Sequence, residues 1–131
     1  MPQRHIDNVD VTYYLILLDR DGAERPELDG SLLSAKLAEL VKDGVTDVFL
    51  ASHGWMGDIP AAISQYDRWI ATMAQQSADR ALARTLVPNF KALTIGIHWP
   101  SMPWGDENAG SAVLGDDGDD DLAHEREMPV D

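Results

Sequence analysis

An α/β fold is predicted by three features of the chain: three strand-like apolar stretches, two helical patterns that alternate with them, and turn chemistry at the joins. The strand-like stretches are residues 11–19 (VTYYLILLD), 46–52 (TDVFLAS) and 92–98 (ALTIGIH). They are rich in β-branched, aromatic and aliphatic residues with few polar breaks, as in strands covered on both faces. Strand, helix, strand, long helix, strand is a βαβαβ order. It calls for a small three-layer, mostly parallel sheet of about three strands with right-handed crossovers and flanking helices.

Each element has a local reason. The first strand is ended by Asp19, Arg20, Asp21 and Gly22, a run of turn formers. Residues 31–43 carry apolar side chains at 33, 37, 40 and 41, a helical period, and Gly44 then supplies a left-handed stop. After the second strand, Asp58 is placed as the N-cap of a long helix with Pro60 in its first turn. Ile59, Ile63, Tyr66, Ile70 and Met73 recur every three or four residues and give that helix one apolar stripe for the sheet. A pause is expected near residues 76–79, and the helix must end by Val87 because Pro88 follows.

The chain has 131 residues, enough for one domain, and a formal net charge of −13. Ten of its 23 acidic residues fall in residues 106–131, beside a single base, Arg126. That stretch has little apolar content to offset its ordering entropy, so the folded domain is expected to span 1–105 and to be followed by an acidic tail. Strong acidity argues against nucleic acid or an anionic membrane as partner, since both demand a concentrated basic surface. There is no cysteine, so disulfides, thiolate metal sites and a cysteine nucleophile are excluded. The longest apolar run, residues 13–18, is far short of the roughly 20 residues of a membrane span, and the N-terminus has no apolar signal region. A cytoplasmic location is the resulting expectation.

In open α/β sheets, functional groups gather at the carboxyl ends of the strands. Here those ends offer Asp19, then Ser52, His53, Gly54 and Trp55, then His98, Trp99, Pro100 and Ser101. Two histidines and two tryptophans are therefore expected at one edge of the sheet. The alternative is a purely structural role, with the histidines hydrogen-bonded to loop backbone and the tryptophans covering the sheet end.

An apolar strand running into His53-Gly54, followed by a helix capped by Asp58, resembles the α/β-hydrolase superfamily, where an HG motif follows a strand and precedes a large helix. The wider string, TDVFLASHGWMGD with YDRW and IGIHWPSMPWGDE, is similar to a group of hydrolases of that superfamily over roughly residues 11–107. The resemblance implies ester or acyl hydrolysis with no cofactor. It implies an oxyanion-hole loop built from His53, Gly54, Trp55 and Met56, with the amide of Trp55 or Met56 as donor. His98, Trp99 and Ser101 would line the neighbouring mouth and contact a small ester-like substrate.

The chain departs from that family in one respect. A G-x-S-x-G nucleophile elbow is required, and none of Ser31, Ser34, Ser52, Ser64, Ser77, Ser101 or Ser111 has glycine at both −2 and +2. If ALTIGIH is the family's fourth strand, the elbow belongs after a fifth that this chain does not reach. The expectation is an N-terminal hydrolase portion, either a fragment or a degenerate form, with no triad of its own.

Other chemistries fit less well. A metal-dependent hydrolase could draw on His53 and His98 with Asp19, Asp58 or Asp106, but there is no H-E-x-x-H, and no metal ligand is assigned. The GDDGDDD run does not align with an EF-hand loop, and no phosphate-binding glycine motif occurs. A non-catalytic interaction module is the second functional class. A three-stranded sheet has two unpaired edges, which predicts a homodimer through an exposed edge or a marginally stable fold.

Overall fold

A computed structural model describes residues 3–102. The acidic stretch 106–131, with Asp106, lies outside the described residues. Four strands and three helices follow in the order β1 (Gln3–Ile6), β2 (Val11–Leu17), α1 (Leu33–Lys42), β3 (Asp47–Ser52), α2 (Ile59–Gln75), α3 (Ser77–Leu86) and β4 (Ala92–His98). The sheet order is β1-β2-β4-β3. β4 lies between β2 and β3, parallel to both.

The sheet is mixed and four-stranded, which corrects the expected three strands. β1 pairs antiparallel with β2, Arg4 opposite Tyr13 and Ile6 opposite Val11. The segment is short, and three of its four residues, QRHI, are polar, so the sequence carries no strand signal there. A 3₁₀ turn at Asp7–Val9 and a left-handed Asp10 (φ 49°) close the hairpin. Among the described residues β1 covers one side of β2 and is itself an outer edge, and the far side of β3 is the other edge.

Strand alternation divides the core between two faces. Tyr13, Leu15 and Leu17 of β2 pack with Ala62, Tyr66 and Ile70 of α2. On the opposite face, Leu93 and Ile95 of β4 pack with Leu33 and Leu37 of α1, joined by Tyr14 and Ile16. The three-layer arrangement follows, because each half-apolar helix needs an apolar sheet face and each leucine or isoleucine so buried contributes about 1.5–3 kcal/mol.

Local signals act as read. Asp58 Oδ1 accepts from the Ala61 amide at 2.7 Å, capping α2. Asp19 Oδ1 accepts from the amides of Asp21 (2.9 Å) and Ala23 (2.8 Å), and Gly22 takes a positive φ of 81° in the same turn. The long helix breaks at Gln76 into α2 and α3. The stripe is buried at Ile59, Tyr66 and Ile70, but Met73, one turn before the break, is exposed. α3 has no buried residue at all. A groove of about 310 Å³ opens between α2, α3 and the sheet, lined by Phe49, Met73, Ala83, Phe90 and Thr94 among others.

Candidate functional site

The parallel strands bring the two predicted segments together. β3 ends at Ser52 and β4 at His98, as neighbours in register, so His53 and the 98–101 segment leave the sheet side by side. The His53 and His98 rings stack with centroids 4.7 Å apart and planes at 21°, and Trp99 stacks on His53 at 5.7 Å and 10°. The expected cluster of imidazoles and indole is therefore formed, and most of it is buried.

Every polar atom of His53 is used internally. Nδ1 lies 2.7 Å from the Gly54 carbonyl oxygen, which can only accept, so Nδ1 carries the proton. Nε2 then accepts from the Trp99 amide at 3.3 Å. The His53 carbonyl accepts from the Trp99 indole N–H at 3.2 Å. The His53 amide donates to the Tyr66 hydroxyl at 2.7 Å. These bonds fix one neutral tautomer and leave no lone pair for proton abstraction. The structural alternative, histidine bound to loop backbone, describes His53 as the protein folds it.

Tyr66 is the side chain that sequence reading missed, taken only as one member of an apolar stripe. It projects from the middle of α2, receives the His53 amide and donates to the Ile97 carbonyl, so one hydroxyl ties β3 to β4 where they leave the sheet. Burial raises its pKa, keeping the phenol protonated and able to donate. Asp67, the next residue, accepts from the buried Tyr13 hydroxyl at 2.7 Å and lies 3.5 Å from Arg4. The Tyr-Asp pair of the YDRW string thus binds α2 to β1, β2 and β4 and to the residue that follows β3.

Ser101 does not line an open mouth as expected. It is buried, and its hydroxyl accepts from the Gly57 amide at 3.0 Å while donating to the Gly57 carbonyl at 3.1 Å. Its own carbonyl accepts the Met56 amide at 3.3 Å. Gly57 leaves little room: a Cβ there would stand 3.0 Å from His53 Nδ1. His98 is also buried and does not reach a mouth. Its pKa is pushed down to about 4, by burial first and then by neighbouring His53 and Arg25, so it is neutral.

The exposed part of the site is Gly54, Trp55 and Met56. A Cβ on Gly54 would meet nothing within 4 Å, so the backbone there faces open space. Met56 holds a left-handed backbone (φ 62°), a costly conformation for a non-glycine residue that the Met56–Ser101 bond helps to hold. Of the two amides proposed as donors, that of Met56 is already engaged. The Trp55 amide has no partner among the described residues.

A metal centre gains no support from this geometry. Two imidazoles stacked nearly parallel cannot aim their lone pairs at one ion, and both nitrogens of His53 are committed. Asp19 and Asp58 are occupied with backbone amides of their own turn and cap. The groove beneath α3 lies toward the amino ends of β2 and β4, away from the HG loop. Among the described residues no helix is long and apolar enough to cross a membrane. No family model, curated protein or solved structure matches the chain.

Proposed function

We propose that the chain is an α/β-hydrolase-like protein whose HG loop forms one wall of an oxyanion hole, with ester or acyl hydrolysis as the associated chemistry. One observation carries the reading: among the described residues the Trp55 amide is an unengaged backbone donor, on a loop that His53, Tyr66 and Ser101 hold in place. A donor fixed before the reaction stabilises developing negative charge without reorganising, which is the physical content of an oxyanion hole. Gly54 leaves the approach open. The ligand class is a small ester-like molecule, and the nucleophile comes from outside residues 3–102, because Ser101 is spent on Gly57 and His53 has no free base.

The test is amide NMR on the isotope-labelled chain during titration with ethyl methylphosphonate, a tetrahedral monoanion that imitates the acyl-transfer intermediate. A saturable shift largest at the Trp55 amide is expected. Absence of saturation at Trp55 at millimolar ligand would overturn the reading. Treatment of the same sample with a fluorophosphonate probe should leave the intact mass unchanged. A stoichiometric adduct mapped to a serine within residues 3–102 would show that the domain carries its own nucleophile.

A second reading, a non-catalytic interaction module, is favoured by the exposed apolar edge of β3.

A further inference from the structure

Among the described residues β3 is an edge strand, and its surface is unusual. Three consecutive residues, Val48, Phe49 and Leu50, are 50%, 41% and 63% exposed, although their strand lies against the core strand β4. Successive side chains alternate between faces, so Val48 and Leu50 stand on the α1 side and Phe49 on the α2 side, at the groove. α1 packs over β2 and β4 through Leu93, Ile95, Tyr14 and Ile16 and leaves the β3 margin uncovered. Natural edges are commonly guarded by lysine, proline or a bulge. The six residues of β3, DVFLAS, have none of these guards, and the β3–β4 register runs unbroken from Asp47 to Ser52.

We propose that β3 is a homodimer interface, in which two copies join antiparallel across a two-fold axis at Phe49 to form one continuous eight-stranded sheet. This proposal does not depend on the oxyanion-hole reading. A second copy is the occupant because the strand is its own complement. A two-fold axis perpendicular to the sheet keeps like faces on the same side and sets opposite residues at equal distances from the axis. Phe49 then faces Phe49 of the second copy on the α2 side. Val48 faces Leu50, and Leu50 faces Val48, on the α1 side. Apolar pairs of this kind are the unit of sheet stabilisation.

Charge selects the same register. Asp47 is the strand's one charged residue. With the axis at Phe49 it falls opposite Ala51, and the two Asp47 carboxylates are four positions apart, about 13 Å along the strands. At that separation their repulsion is several times weaker than that of two carboxylates in contact, because Coulomb energy falls with distance. Sliding the axis to Asp47 would set the two carboxylates side by side and break every apolar pair. The added strand would also cover the exposed Phe49 at the groove's margin, joining burial on both faces to new backbone hydrogen bonds along the edge.

Sedimentation of the full 131-residue chain over a range of concentrations should show a reversible monomer–dimer equilibrium. Leu50→Lys, at an exposed position, should raise the dimer dissociation constant at least tenfold with an unchanged circular dichroism spectrum. Since the chain has no cysteine, single substitutions report the register directly. Phe49→Cys should form a disulfide-linked dimer under mild oxidation, because facing residues in an antiparallel pair lie within disulfide reach, and Asp47→Cys should not. A monomer at every concentration without Phe49→Cys cross-linking overturns the proposal. So does a dimer that is indifferent to Leu50→Lys and cross-links equally at both positions.

Discussion

The ring of Tyr66 occupies the space that a side chain at Gly96 would need: a Cβ on Gly96 would stand 2.9 Å from each of two Tyr66 ring carbons. Gly96 sits inside β4, where glycine weakens a strand unless something must approach closely. What approaches is the helix residue whose hydroxyl joins the ends of β3 and β4. The close contact of α2 with the sheet and the hydrogen bonds at the candidate site are therefore one arrangement.

Gly96→Ala should destabilise the fold by about 1–3 kcal/mol, the usual cost of overpacking a rigid contact. Urea unfolding would measure it, with Gly54→Ala as the control. Gly54 faces open space and has no positive φ, so its substitution should change stability by less than about 0.5 kcal/mol. Equal effects at the two glycines would refute the packing account.

Tyr66→Phe keeps the ring and removes the hydroxyl, leaving the His53 amide and the Ile97 carbonyl without their shared partner. The expected loss is about 1–3 kcal/mol, the cost of unsatisfied buried polar groups. Amide spectra should place the disturbance at His53, Gly54 and Trp55 as well as in β4. A variant with normal stability and an undisturbed loop would remove Tyr66 from the site.

His98 gives the fold a dependence on pH. Its folded pKa of about 4 lies below the ordinary 6.5 of the unfolded chain. The native state therefore binds fewer protons than the unfolded state between those values, and stability falls as pH is lowered from 6.5 toward 4. Above 6.5 the contribution of this group is complete and level. His98→Asn should flatten the stability–pH slope across that window by up to one proton. Identical slopes in the two proteins would show that His98 is not the group responsible.

The sequence shows a strand or a cap clearly where the signal is local. β4 occupies the residues read for it, Asp58 caps α2, and the helix breaks where Gln76 interrupts the apolar stripe. β1 was illegible because a four-residue, mostly polar edge strand is made by its pairing with β2, and pairing partners leave no mark on so short a segment. His53 and His98 were legible as neighbours because parallel strands must end together. The exposure of each was not. Ser101 is buried because its hydroxyl closes on Gly57, a contact between residues 44 positions apart in the chain. The role of Tyr66 was also hidden, although Gly96, alone inside an apolar strand, was a sign that some large group presses there.

Of the three helices, α3 alone has no buried residue. Its ten residues, SADRALARTL, hold their shape mainly through their own backbone bonds and good helix formers, a marginal condition for so short a segment. The core packing and the candidate site lie elsewhere, in α2, β4 and the HG loop. α3 is thus the natural place for the sequence to drift: substitutions, insertions or a fused peptide there would disturb the rest of the protein least.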